Sequence, residues 1–326
     1  MEFREKKITI QGEYPIGATI TYPDEKQKSP AVVIIMGTGK LDRDGNGFGF
    51  HSNMYKELAH TFAECGYVSA RYDKRGTHGS GGSFNSAGLS DLTNDAISVI
   101  RYLKSLPYVD ENRILVCGHS EGTMIATLVT EKEETEGLIL LGGAGMCMKD
   151  ALYYQNKLMA EELPSMKGLA GAIVRKSFDL NKQIAMIDDM FRKSIETTKE
   201  KVYVKGAGVP AKWLREHGSY TSEDFAKILK RYKKPVLAIT GKADFQADYR
   251  RLDAIQAESH IRCFAPEGLT HILRVNDSDN SILNVKKTYR KLIKEPIDAE
   301  LIKTIKNWLG NHCIVNNYSK AEVYLQ

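Results

Sequence analysis

The sequence predicts an α/β fold: a mostly parallel sheet of eight strands flanked by helices, interrupted by one helical insertion. Three observations carry this reading. Short apolar runs alternate with helix-like patterns along most of the chain. Several of these runs are continuously apolar, as strands covered on both faces are. Between about residues 148 and 231 the alternation stops and no convincing strand is found.

Strands are expected at 7–11, 18–22, 31–36, 67–72, 113–117, 137–141, 235–240 and 261–264. The first two alternate more than the rest and suit an antiparallel hairpin at a sheet edge. Helices are expected near 53–64, 89–106, 121–130 and 248–257, with a closing helix over 299–309. The insertion reads as all-helical, broken at Pro164, Gly168, Gly206 to Pro210 and Gly218. The expected division is a discontinuous α/β catalytic domain of residues 1–147 and 232–326, and a helical cap of residues 148–231. The segment 312–326 has no clear packing partner and is expected to be loose.

Composition narrows the class. The 326 residues are 42% hydrophobic and 27% charged, which excludes disorder, collagen and a small disulfide scaffold. The 46 basic and 41 acidic side chains leave a formal charge of +5, too weak to argue for nucleic acid. Five cysteines without CxxC spacing lean toward a reducing compartment. Apolar runs such as 31–36 and 138–141 are far too short to span a bilayer, and the charged N-terminus lacks the apolar core of a signal peptide. The expectation is a soluble cytoplasmic protein with no membrane span and no nucleic-acid partner; a homodimer is left open.

The sharpest chemical feature is Gly118-His119-Ser120-Glu121-Gly122. It follows the strand at 113–117 and opens the helix at 121. This is G-x-S-x-G in the strand–turn–helix setting that the nucleophile elbow requires. The turn is tight, so the serine hydroxyl is exposed, and the glycines let strand and helix pass. A serine needs a base, and the base needs orienting. The acid and base are expected after later strands, in that order. Asp244 follows the strand at 235–240 and His271 follows the strand at 261–264. Asp248 stands as the alternative acid. His119 is expected to point away from the catalytic group, and His260 lies at the wrong end of its strand.

An oxyanion needs two N–H donors. Glu121, just after the nucleophile, supplies one. Thr38, in Gly37-Thr38-Gly39 after the strand at 31–36, is expected to supply the other, with a plain turn as the less favoured reading of these glycines. Cys117 reads as a buried strand residue. Asp42, Arg43, Asp44, Asp73 and Arg75 form a polar cluster; ion-paired loops are the preferred reading over a metal site.

In the insertion, residues 150–231 hold fifteen Lys or Arg against eleven Asp or Glu, an excess that accounts for nearly all of the chain's net charge of +5. A solvated helix surface is preferred over attraction of acidic substrates. Met148, Met159, Met166, Met186 and Met190 suit either helical core or a pliable pocket. Met148, Tyr153 and Trp213 are the candidates to bind substrate, with Tyr154 a further aromatic.

The loop from Gly37 to Asn46, reading G-T-G-K-L-D-R-D-G-N, resembles the G-S-G-x-x-D-R-D-G loop of bacterial carboxylesterases in the α/β-hydrolase superfamily. Arg71-Tyr72-Asp73-Lys74-Arg75-Gly76, with Gly79, Gly81 and Gly82 downstream, resembles that group's R-Y-D-K-R-G stretch. The G-H-S-E-G elbow matches as well. So does the end, with Leu269-Thr270-His271 and Pro296-Ile297-Asp298 before the last helix. The likeness covers most of residues 31–147 and 233–310, and the insertion matches in position more than in residues. Met36 stands where many relatives carry His, and Thr270 where Asn is common.

The resemblance implies an α/β-hydrolase fold with a cap. It also implies a serine esterase that takes a small-molecule ester through an acyl-enzyme, with Ser120, His271 and Asp244 as triad and no cofactor or metal. The same triad serves peptidases or amidases, thioesterases, lactonases and acyltransferases. A non-enzymatic receptor or scaffold use of the fold is a further alternative. Dehalogenase and epoxide hydrolase chemistry is disfavoured, because it uses a carboxylate where this chain has Ser120.

Overall fold

The computed structural model describes residues 3–23, 28–278 and 280–321. Eight strands form the central sheet: β1 (Arg4–Gln11), β2 (Pro15–Tyr22), β3 (Ser29–Ile35), β4 (Val68–Tyr72), β5 (Val109–His119), β6 (Gly137–Leu141), β7 (Val236–Ile239) and β8 (Ile261–Phe264). Their order is β1-β2-β4-β3-β5-β6-β7-β8. The β1–β2 and β2–β4 pairs are antiparallel, and every other pair is parallel. The expected edge hairpin is therefore present, with Ile8 opposite Ala18.

Alternation along the inner strands divides the core in two. Ala31, Val33 and Ile35 of β3 pack on one face, and Val32 and Ile34 on the other. The same split repeats in β5, β6 and β7, because successive side chains point to opposite faces. Helices α2 (Leu89–Lys104), α3 (Glu121–Val129) and α8 (Ser222–Arg231) cover the first face. Helices α1 (Met54–Glu64) and α10 (Ala299–Ala321) cover the second. This is why the inner strands read as continuously apolar.

Between β6 and β7 the chain leaves the sheet. It forms α4 (Met148–Glu162), α5 (Gly168–Ser177), α6 (Leu180–Glu196), a strand pair, α7 (Ala211–Gly218) and α8. The strand pair corrects the all-helical expectation. Lys201–Val204 runs antiparallel to Ala207–Pro210, with Val204 opposite Ala207. Its two-residue turn, Lys205-Gly206, has φ of 47° and 82°. Positive φ at both central residues is what a tight hairpin requires, and Gly206 adopts it without strain. The β-rich run Lys-Val-Tyr-Val before a Gly was the signal for it.

Three other differences are local. The helix expected at 248–257 is only a 3-10 segment, Tyr249–Ala254. Arg250 folds back onto Asp248 at 2.8 Å, and Asp248 caps the short turn instead of starting a long helix. A helix α9 (Val285–Leu292) precedes the closing helix. The closing helix runs on to Ala321, well beyond the expected end, so most of the tail expected to be loose is helical. Residues 322–326 of that tail lie outside the described residues. Among the described residues no helix is long and apolar enough to cross a membrane.

Candidate active site

Strand β5 ends at His119 and α3 begins at Glu121, so Ser120 alone makes the turn. Its φ is 56° and ψ −123°, a backbone conformation that L-residues rarely adopt and that costs on the order of 1–3 kcal/mol. The sharpness of the turn explains both glycines. A Cβ on Gly118 would lie 2.2 Å from the Gly122 carbonyl, and one on Gly122 would lie 2.2 Å from the Ile35 carbonyl. The elbow is anchored from below by Ser120 N–H donating to the Leu141 carbonyl at 2.9 Å.

Three side chains from distant parts of the sequence meet at this turn. Ser120 Oγ is 2.9 Å from His271 Nε2. His271 Nδ1 is 2.8 Å from Asp244 Oδ2. The other Asp244 oxygen accepts the N–H groups of Gln246 at 2.7 Å and Ala247 at 2.9 Å. Asp244 is thus fixed by the loop after β7, and His271 by the loop after β8. Asp248 is paired with Arg250 and takes no part in this contact.

The base loop holds itself together. Thr270 Oγ1 donates to the Arg274 carbonyl at 2.7 Å. The buried Arg274 guanidinium donates to the carbonyls of Ile272 and Ser52 and to Glu57 Oε1. His119 does not point away from the catalytic group: its ring packs 4.9 Å from the His271 ring, which corrects that expectation. Its Nδ1 is 3.0 Å from Tyr55 Oη and its Nε2 is 2.8 Å from the His271 carbonyl. Burial and the neighbouring His271 push its pKa down to about 3, so the ring is neutral. The Tyr55 oxygen accepts Gly37 N–H at 2.9 Å. The donor at Gly37 is therefore used, and Thr38 is the next N–H along that loop. Neither Tyr55 nor the bracing role of His119 was read from the sequence.

The family model for serine aminopeptidase, S33, matches residues 45–271, a span that includes all three of these side chains.

The chain belongs to the S33 family.

Esterase EstD of Thermotoga maritima is 24% identical over 311 residues, covering 94% of this chain and 68% of EstD. Among solved structures, Est1E from Butyrivibrio proteoclasticus with ferulic acid bound gives a TM-score of 0.57 at 20% identity, over 88% of this chain and 100% of that one. The Pyrococcus furiosus esterase Pf2001 gives 0.53 at 12% identity, over 95% and 93%. These structural likenesses establish the α/β-hydrolase fold.

In this S33 hydrolase the residue after the elbow serine has a second set of partners. The Glu121 carboxylate is completely buried. It pairs with Lys74 Nζ, accepts Trp213 Nε1–H at 2.5 Å and lies 3.0 Å from His217 Nε2. Burial alone would raise its pKa, but Lys74 and His217 outweigh burial and hold the carboxyl well below the usual range. Lys74 comes from the R-Y-D-K-R-G loop after β4, and Trp213 and His217 from α7. Helix α7 is docked further by Glu216, which accepts Ser90 N–H at 2.6 Å, and by Lys212, 2.6 Å from Asp91.

A cavity of about 370 Å³ opens above Ser120 and His271. Thr38, Met148 and Trp213 line it, and Tyr153 does not. The reason is helical phase. Met148, Ala151, Leu152 and Gln155 of α4 share one face and line the cavity, and Tyr153 lies about 100° away from Leu152. Its hydroxyl turns instead to Asp188. Met54, Met124 and Met146 complete the methionine lining.

The polar cluster is ion-paired except for Asp42, which accepts the N–H groups of Asp44 and Asn46. Arg43 meets Asp73 at 2.5 Å, Arg71 meets Asp44 at 2.5 Å, and Arg75 meets Asp95 at 2.7 Å. Cys117 is fully buried, and burial pushes its thiol pKa up.

Proposed function

We propose that this S33-family protein is a carboxylesterase-type serine hydrolase working through an acyl-enzyme. The observation that carries the reading is the unbroken contact Ser120–His271–Asp244 at 2.9 and 2.8 Å, on a serine in a strained turn. In this reading His271 Nε2 takes the Ser120 proton as Oγ attacks the ester carbonyl. Asp244 holds the Nδ1–H tautomer. The N–H groups of Thr38 and Glu121 receive the oxyanion, and the N-terminus of α3 adds to its stabilisation. His271 returns its proton to the departing alkoxide, and a water then releases the acid by the same steps.

We propose further that residues 148–231 form the cap. Met148, Leu152 and Trp213 from this segment line the cavity over Ser120, which supports the assignment.

The family's aminopeptidase description is a second reading. A peptide N-terminus is a cation, and a site for it calls for a free carboxylate. Among the described residues lining the cavity the only carboxylate is Glu121, already enclosed by Lys74, Trp213 and His217. Neutral esters fit this lining better. The test compares short p-nitrophenyl esters with aminoacyl p-nitroanilides, in wild type and Ser120→Ala. Ester turnover lost in the folded variant, with little anilide turnover in wild type, is expected. Undiminished ester turnover in Ser120→Ala would falsify the nucleophile assignment.

A further inference from the structure

A second cavity of about 160 Å³ adjoins the first. Its walls are Phe84, Ala87, Leu92, Val209, Pro210 and Trp213, and the surface they present is almost wholly apolar. Phe84 and Ala87 come from the loop after β4, Leu92 from α2, Val209 and Pro210 from the hairpin strand before α7. The two cavities share Thr38, Glu121 and Trp213. They therefore meet beside the N–H groups assigned to the oxyanion, and the Trp213 indole stands between them. The indole is held there by its N–H on Glu121 Oε1 at 2.5 Å.

An ester carbonyl seated at Thr38 and Glu121 sends its two substituents in different directions. The departing alkoxide must receive its proton from His271 Nε2. His271 borders the larger cavity and not the smaller one. The alcohol therefore belongs to the larger cavity, and the smaller is left for the acyl group. A dry apolar cavity of about 150 Å³ is the size that holds a benzene ring.

We propose that the chamber between Phe84, Leu92, Val209 and Trp213 is an acyl-binding subsite for compact apolar acyl groups of about the bulk of a phenyl ring. This rests on the serine-hydrolase reading above. Among the described residues lining the chamber the one cation is Lys74, and its ammonium is taken by Glu121. Charged acyl groups are accordingly excluded.

The test uses sulfonyl fluorides, which place their substituent on the acyl side and need no turnover. In the labelling step the Ser120 Oγ–S bond forms and the S–F bond breaks. Fluoride leaves, and the hydroxyl proton goes to His271. Labelling rates are read by intact mass for methanesulfonyl, phenylmethanesulfonyl and 2-phenylethanesulfonyl fluoride. Wild type is expected to favour the phenylmethyl reagent over the methyl one by about tenfold or more, beyond their ratio of hydrolysis rates in buffer. Val209→Phe fills the chamber and should bring that preference close to one. Val209→Ala widens it and should move the preference toward the phenylethyl reagent. Equal labelling by all three reagents in wild type, or a preference unmoved by both variants, overturns the subsite and leaves the nucleophile standing. No labelling of Ser120 by any reagent overturns the serine-hydrolase reading, and the subsite with it.

Discussion

Tyr55 Oη lies 3.0 Å from His119 Nδ1, and this contact joins three loops that have no sequence proximity. The directions of donation are consistent along the whole chain. Gly37 N–H donates to Tyr55 Oη, Tyr55 O–H donates to His119 Nδ1, and His119 Nε2–H donates to the His271 carbonyl. The loop after β3, the elbow and the base loop are thereby held in one register. Tyr55→Phe should leave a buried N–H and a buried ring nitrogen without partners. The expected loss is about 1–3 kcal/mol of stability in urea unfolding. A fall in kcat larger than the change in KM should accompany it. A variant with wild-type stability and kcat would show that the chain is dispensable.

The neutrality of His119 makes stability depend on pH. Its folded pKa of about 3 lies below the ordinary value of 6.5, so between those limits the unfolded chain binds the extra proton. Stability from this residue is complete above about pH 6.5 and is lost as pH falls toward 3. Glu121, held low in the folded state, contributes in the same direction, with its stability lost as pH falls below its ordinary 4.5. Melting temperatures of wild type and His119→Gln, compared at pH 7 and pH 5, isolate the histidine. The drop on acidification should be smaller in the variant, and an equal drop counts against the assignment.

Asp244→Asn should be far more damaging to rate than to fold. One carboxylate oxygen already accepts two backbone N–H groups, from Gln246 and Ala247. An asparagine keeps its carbonyl oxygen there, which turns its amide N–H toward His271 Nδ1. The ring then carries its proton on Nε2 and cannot accept the one on Ser120. The expected loss in kcat is on the order of 10³–10⁴-fold, as for the equivalent change in other triads. Steady-state kinetics and a melting curve on one preparation suffice to check it.

Glu121→Ala tests the buried cluster beneath α7. It leaves the Lys74 ammonium buried and unpaired, and removes the acceptor of the Trp213 and His217 contacts. Breaking a buried pair in this way costs about 3–5 kcal/mol. Limited proteolysis should then cut first between residues 148 and 231. Unchanged cleavage sites together with unchanged stability would dissociate Glu121 from the docking of that segment.

Gly122→Ala should be more disruptive than an ordinary glycine substitution at a helix start. The new Cβ would lie 2.2 Å from the Ile35 carbonyl, so α3 cannot stay against β3. Soluble yield and Tm are expected to fall sharply. A folded, labelled Gly122→Ala protein would mean that the elbow is looser than its geometry.

The parts of the site that could be read beforehand were those fixed by local constraint. The G-H-S-E-G elbow is legible because only certain residues survive its turn. Asp244 and His271 are legible because each follows a strand whose apolar run is unmistakable. The residues that were not read act across distance. Lys74, His217 and the Glu121 side chain meet only after α7 docks on α2. Nothing in their spacing signals it. Tyr153 lies off the cavity because helical phase, and not aromatic character, decides which neighbour faces it. The hairpin at 201–210 was overlooked because each strand is only four residues long and Gly206 to Pro210 read as a break between helices.

The excursion between β6 and β7 begins and ends on strands that are direct neighbours, with Leu138 opposite Val236. The two strands run parallel, so the return from the end of β6 to the start of β7 needs a crossover of about a dozen residues, which α8 and its flanks supply. In topological terms the residues before α8 are a detour that can change without redrawing the sheet beneath. Glu121 restricts that freedom. Any replacement has to bring its own indole and imidazole to a carboxylate that the elbow cannot hide alone, which makes one side chain beside the nucleophile the compatibility lock for transplanting specificity between relatives.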